Sequence, residues 1–120
     1  MKSLLFVYGT LKRGGGNHHH LADQTFVGAA RTVPGFRLVD LGGYPGITTA
    51  AADRNGVAGE VWSVDPAALQ RLDAFEGVRE GLYRREPLSL QPPFAGQRIE
   101  AYVPTLDASG LREVGAEWIE

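Results

Sequence analysis

Residues 6–13 read FVYGTLKR, from Phe6 to Arg13, and three further glycines, Gly14, Gly15 and Gly16, stand directly behind them. The apolar run Leu4, Leu5, Phe6, Val7, Tyr8 breaks into Gly9, which is the pattern of a buried strand handing the chain to a tight loop. Two structures fit such a junction. Glycine removes the side chain that keeps backbone N–H groups away from a ligand, and a strand end offers N–H groups with no ladder partner, so the loop can cradle an anion without a cation. An ordinary hairpin turn has the same outline.

The rest of the chain narrows what such a loop can serve. With 120 residues, 43% of them hydrophobic, the chain can bury one core and is too short for two ordinary domains, so a single domain over residues 1–120 is expected. Twelve basic against 14 acidic side chains leave a net charge of −2, without the cationic footprint that nucleic acid or an anionic membrane requires. A small molecule is the expected partner, with the protein a monomer or homodimer. The absence of cysteine excludes a disulfide framework and thiol chemistry. No apolar stretch is long enough for a membrane span, and Met1-Lys2-Ser3 runs straight into strand sequence, which points to a cytoplasmic protein.

Following the glycines, Asn17 is placed to cap a short helix, its side-chain oxygen accepting from free N–H groups of the first turn. His18, His19 and His20 are consecutive and so point in different directions on any regular element. At most two can reach one ion, and no metal-ligand spacing accompanies them, so a partly exposed polar turn is expected and no metal. Thr25–Val33 and Phe36–Leu41 read as two strands joined by the turn dipeptide Pro34-Gly35, that is, as a hairpin. Tyr44, held between Gly42-Gly43 and Pro45-Gly46, either walls a pocket or covers a barrel end. Val57–Val64 alternates as a strand with Trp62 and Val64 toward the core, which turns Glu60 inward or to a rim, where a structural ion pair is its expected role.

The clearest helix spans Pro66–Glu76. Asp65 is a good N-cap, Pro66 occupies the first helical position, and Gly77 stands where a C-cap belongs. Leu69, Leu72 and Phe75 form its apolar face, with Asp73 and Glu76 on the border of that stripe. Glu76 lies in the last turn, where the negative end of the helix dipole opposes a carboxylate; dipole and partial burial would both raise its pKa toward that of a general base, unless the helix end frays into solvent. Leu82–Leu90 and Gln97–Val103 read as an antiparallel pair, with one of Arg84 and Arg85 turned inward to meet Glu60 or Asp73. In the tail, Glu113–Glu120, Trp118 and Ile119 are placed to lie back over the barrel.

Together the VYGTL-K-R-G loop, Asn17-His18, Gly59-Glu60-Val61, the Leu72-Asp73-x-Phe75-Glu76-Gly77 helix end and Tyr83-x-Arg85 resemble the gamma-glutamylcyclotransferase-like family. The short form is similar to the gamma-glutamylamine cyclotransferases and their small bacterial relatives. The resemblance runs from about Leu5 to Val103. It implies an α+β fold, a small mixed and mainly antiparallel β-barrel with short flanking helices. It also implies an enzyme that cyclises a gamma-glutamyl amine or peptide to 5-oxoproline with release of the amine. Carried over by position, Tyr8, Gly9, Thr10 and Leu11 form the substrate-binding loop and Glu76 is the catalytic acid/base. Tyr44 and Tyr83 complete the candidate substrate-binding set, and no cofactor is expected. Two alternatives stand beside it. One is a non-catalytic domain of the same fold that binds a small carboxylate or amine. The other is a phosphate site, which Gly15 and Gly16 weaken by standing where a P-loop carries Lys and Ser or Thr.

Overall fold

Strand β1 (Ser3–Val7) is apolar at consecutive positions because both of its faces are covered. In the computed structural model, which describes residues 1–119, Phe6 enters one core with Val61, Ile99 and Ala101, while Leu5 and Val7 enter a second with Trp62, Val64 and Leu72. The further strands are β2 (Thr25–Arg31), β3 (Phe36–Asp40), β4 (Pro45–Thr49), β5 (Ala58–Val64), β6 (Tyr83–Pro87), β7 (Glu100–Pro104) and β8 (Glu113–Gly115). They form a five-stranded sheet in the order β2-β5-β1-β7-β6 and a three-stranded sheet in the order β4-β3-β8. Every neighbouring pair is antiparallel except β1 and β7.

Two expectations are corrected here. The segments on either side of Pro34-Gly35 do not pair with each other: β2 runs along β5, whereas β3 pairs with β4 and β8. The dipeptide does reverse the chain, and the Asp53 carboxylate accepts the Gly35 N–H at 2.9 Å, but the reversal carries the chain from one sheet to the other. The strands also do not close into a barrel. The outer edges of the larger sheet approach through one isolated bridge, Thr32 to Leu90, flanked by N–H donations from Val33 to Ser89 and from Gln91 to Arg31. The sheet curls without a continuous ladder to seal it, and the smaller sheet packs over the inner core through Leu38 and Ile47.

Helix α1 (Pro66–Glu76) covers the outer face of the large sheet. Asp65 Oδ1 accepts the Ala68 N–H at 2.7 Å, and Gly77 ends the helix in the left-handed conformation at φ 71°. Its buried side chains are Ala68 and Leu72; Phe75, expected on the same apolar face, is 43% exposed. In the tail, β8 pairs with β3 and Trp118 packs on the inner core, while Ile119 is exposed. Glu120 lies outside the described residues. No helix among those described is long and apolar enough to cross a membrane.

Candidate active site

The loop that follows β1 is held by its carbonyl groups. The Gly9 oxygen accepts the Lys12 N–H at 3.1 Å and the Thr10 oxygen accepts the Asn17 N–H at 2.9 Å. The Leu11 oxygen accepts from His18 Nδ1 at 2.9 Å, which places the ring proton on Nδ1. With the carbonyls tied back, the N–H groups of Gly9, Thr10 and Leu11 have no acceptor among the described residues. Gly9 itself is required by close packing, because a Cβ there would stand 2.7 Å from Pro45 Cγ.

Asn17 does not cap a helix as expected. The three histidines form a single 3-10 turn with no side-chain cap, and the Asn17 amide instead donates to Thr10 Oγ1 at 3.0 Å. His18 packs its ring on Trp62 with centroids 5.2 Å apart, and His20 stacks on Phe75 at 4.3 Å.

Glu60 braces the far end of the loop. Its carboxylate accepts from the Arg13 N–H, Arg13 Nε and Trp62 Nε1, each at 3.1 Å. Burial alone would raise the Glu60 pKa, but these donors outweigh it and hold the carboxyl below its usual range. The ion pair expected of Glu60 is thus made with Arg13, not with Arg84 or Arg85. Arg85 turns toward Asp73 at 3.4 Å and Glu100 at 3.6 Å, and Arg84 pairs with Glu86.

A cavity of about 450 Å³ opens beside this loop. Tyr8, Gly9, Thr10 and Leu11 line it together with Glu76 and Tyr83, and Tyr44 joins them from the β3–β4 turn. All seven residues singled out from the sequence therefore border one space. Tyr44 is placed by a stiff turn, in which Asp40 Oδ1 accepts the N–H groups of Gly42 and Gly43 at 2.8 Å each and the Leu41 N–H returns to the Tyr44 carbonyl.

Glu76 carries the electrostatics of the cavity. It sits in the last turn of α1, anchored by the Gly77 cap, and burial lifts its carboxyl from 4.5 to about 7. A group poised there accepts and returns protons near neutral pH. Burial, then Glu76 and Tyr44, push the Tyr83 hydroxyl well above its ordinary value, so it stays a neutral donor. Tyr8 contributes ring surface, since its hydroxyl donates to the Tyr102 carbonyl at 2.6 Å and accepts the Ile47 N–H at 3.3 Å. Tyr102, which the sequence did not single out, also lines the cavity and donates its hydroxyl to Asp73 at 2.7 Å. Phe75, which the helical period puts on the apolar face, and Leu82 and Asn17 also line the cavity without having been candidates, and the ring of His18 reaches back across seven residues to a loop carbonyl.

A family model described as gamma-glutamyl cyclotransferase, AIG2-like, matches residues 5–119. The chain is 34% identical over 117 residues to the gamma-glutamylcyclotransferase family protein YtfP of Escherichia coli, covering 97% of this chain and 96% of that protein. It is 40% identical over 94 residues to the gamma-glutamylaminecyclotransferase of Rattus norvegicus, covering 72% of this chain and 62% of the rat protein. Among solved structures, the crystal structure of an AIG2-like protein from Mus musculus superposes with a TM-score of 0.81 at 30% identity, over 96% of this chain and 87% of the mouse chain.

Proposed function

The chain belongs to the AIG2-like gamma-glutamyl cyclotransferase family and is an enzyme of that kind, and from this premise we propose that it cyclises a gamma-glutamyl amine to 5-oxoproline with Glu76 as general acid/base. The observation that carries the reading is the sharing of one cavity by a half-buried carboxyl with a pKa near 7 and a run of main-chain N–H groups left without acceptors among the described residues.

In this reaction the α-amine nitrogen attacks the side-chain carbonyl carbon of its own glutamyl group. The ring C–N bond forms, the C–N bond to the departing amine breaks, and no water is consumed. The N–H groups of Gly9, Thr10 and Leu11 receive the α-carboxylate, and Tyr8 and Tyr44 flank the folded chain. Glu76 takes one proton from the α-ammonium, freeing the lone pair that attacks, and passes it to the leaving nitrogen. The second proton that the attacking nitrogen sheds on becoming the ring N–H goes to the released amine, which departs as an ammonium, so the carboxylate is regenerated in each cycle. Tyr83, a neutral donor near Glu76, holds the carbonyl oxygen as negative charge develops on it.

The nucleophile is already tethered to its target. Fixing the folded conformer can contribute ~7 to 11 kcal/mol in favourable intramolecular cases, and positioned proton transfer a further ~10² to 10⁴-fold. A loop, a carboxyl and a few aromatic walls suffice for such a reaction.

The test is 5-oxoproline release from a panel of gamma-glutamyl amines and peptides, with Glu76→Gln alongside the wild type. The expected result is a ~10² to 10⁴-fold loss of kcat in the variant with substrate still bound. Substantial turnover by Glu76→Gln would rule the mechanism out.

A further inference from the structure

All four tyrosines of the chain line this cavity, and their hydroxyls are committed differently. The Tyr8 hydroxyl is spent in both senses, donating to the Tyr102 carbonyl and accepting the Ile47 N–H. The Tyr83 hydroxyl stays a neutral donor with its proton free for the substrate. Tyr102 is the converse. Its proton goes to Asp73 Oδ1 at 2.7 Å, and no donor among the described residues reaches its oxygen. A hydroxyl carries one proton and two lone pairs, so acceptance is what Tyr102 has left to offer.

Asp73 keeps that proton in place and is itself held. Arg85 stands 3.4 Å from its other oxygen and 3.6 Å from Glu100, which fixes the guanidinium between two carboxylates. Burial, then the bond to Asp73, push the Tyr102 hydroxyl well above its ordinary value against a smaller opposing pull from Arg85, so the phenol keeps its proton. A phenol whose proton is drawn toward a carboxylate has an electron-richer oxygen.

The substrate brings a group that needs such an oxygen. Its α-ammonium shares a carbon with the α-carboxylate. With that carboxylate on the N–H groups of Gly9, Thr10 and Leu11, the ammonium lies close to the loop and within reach of Glu76. Tyr102 belongs to the same place: its carbonyl is bonded to Tyr8, next to Gly9, and the charge of Glu76 acts on its hydroxyl. Glu76 accepts one N–H of the ammonium, and the others are costly to leave unpaired away from water. A neutral acceptor suits the reaction better than another carboxylate, because a second negative charge would favour the charged ammonium and withhold the lone pair that attacks.

Building on the cyclisation reading, we infer that Tyr102 is a substrate-binding residue whose oxygen accepts an N–H of the glutamyl α-ammonium, with Asp73 and Arg85 as the positioning pair that holds the phenol proton away from it.

The experiment titrates Glu76→Gln by calorimetry with gamma-glutamylethylamide and with glutaric acid monoethylamide, the same molecule without its α-amine. Both titrations are repeated after adding Tyr102→Phe. The expected result is a roughly tenfold or greater loss of affinity for gamma-glutamylethylamide, the worth of one hydrogen bond to a charged group, with the deaminated ligand bound as before. Asp73→Ala in the same background weakens the amine-bearing ligand alone, and Asp73→Asn, whose amide oxygen still accepts the phenol proton, restores most of the loss; this pair decides if Tyr102→Phe does not fold. Equal losses for the two ligands, or no loss for either, overturn the subsite and leave cyclisation standing as long as the wild type releases 5-oxoproline from gamma-glutamylethylamide. No 5-oxoproline from the wild type overturns both.

Discussion

Glu76→Gln should make the protein more stable while removing its activity, and the size of the gain follows from the position of the carboxyl. Burial holds Glu76 at about 7 against 4.5 for the free group, so ionisation opposes folding. Below pH 4.5 the carboxyl is protonated in both folded and unfolded chains and no penalty exists; the penalty grows as pH rises and is complete above about 7. A displacement of this size corresponds to about 3 kcal/mol at full ionisation. Glutamine keeps the shape and never ionises. For a domain of this length, thermal melts at pH 8 should place the variant on the order of 10 °C above wild type, with the two curves converging at pH 4.5. Equal midpoints at pH 8, or an advantage that persists unchanged at pH 4.5, would refute the claim that Glu76 is held ionisable at a desolvated site.

Gly9→Ala drives a methyl group to 2.7 Å from Pro45 Cγ, so the loop must shift; steady-state kinetics should show KM raised by roughly tenfold or more, with about 1–3 kcal/mol lost from stability in urea melts. His18→Phe keeps a ring on Trp62 but removes the donor to the Leu11 carbonyl. One such hydrogen bond implies a KM increase of roughly three- to tenfold with kcat little changed, and His18→Asn, which restores an amide donor near the same point, should recover much of it. Glu60→Ala leaves Arg13 and Trp62 without their acceptor and should cost about 1–3 kcal/mol at pH 7. Because the folded Glu60 pKa lies below 4.5, its contribution is present above that value and fades as pH falls through the folded one, so the gap between variant and wild type should narrow in acid melts.

Local signals were readable where neighbours in sequence decide the outcome. The run into Gly9 marked β1 because a strand covered on both faces needs no polar alternation. Asp65, Pro66 and Gly77 bounded α1 because caps act within one turn. Partner choice was another matter: Pro34-Gly35 announced a reversal, yet β2 found β5 some 30 positions downstream, and nothing local records that competition. The same holds for closure, since only the assembled sheet shows that its edges meet through the single bridge Thr32–Leu90 and the hydrogen bonds beside it.

Glu76 was legible as a carboxylate at the wrong end of a helix dipole. Phe75 was misread because a 3.6-residue period marks a face that avoids water without saying whether protein or ligand covers it. Glu60 was legible as an inward charge in need of a partner, but Arg13 lies 47 residues away along the chain. The brace from His18 to Leu11 follows no spacing rule, and the loop had to be folded before it could be seen.

The most direct measurement is the stoichiometry of products from gamma-glutamylethylamide, with 5-oxoproline, glutamate and ethylamine quantified in one reaction. A tethered α-amine and a carboxyl that only carries protons predict one 5-oxoproline for every ethylamine, with no glutamate formed. Glutamate in place of 5-oxoproline, which requires water as the nucleophile, or no ethylamine at all, would contradict the account.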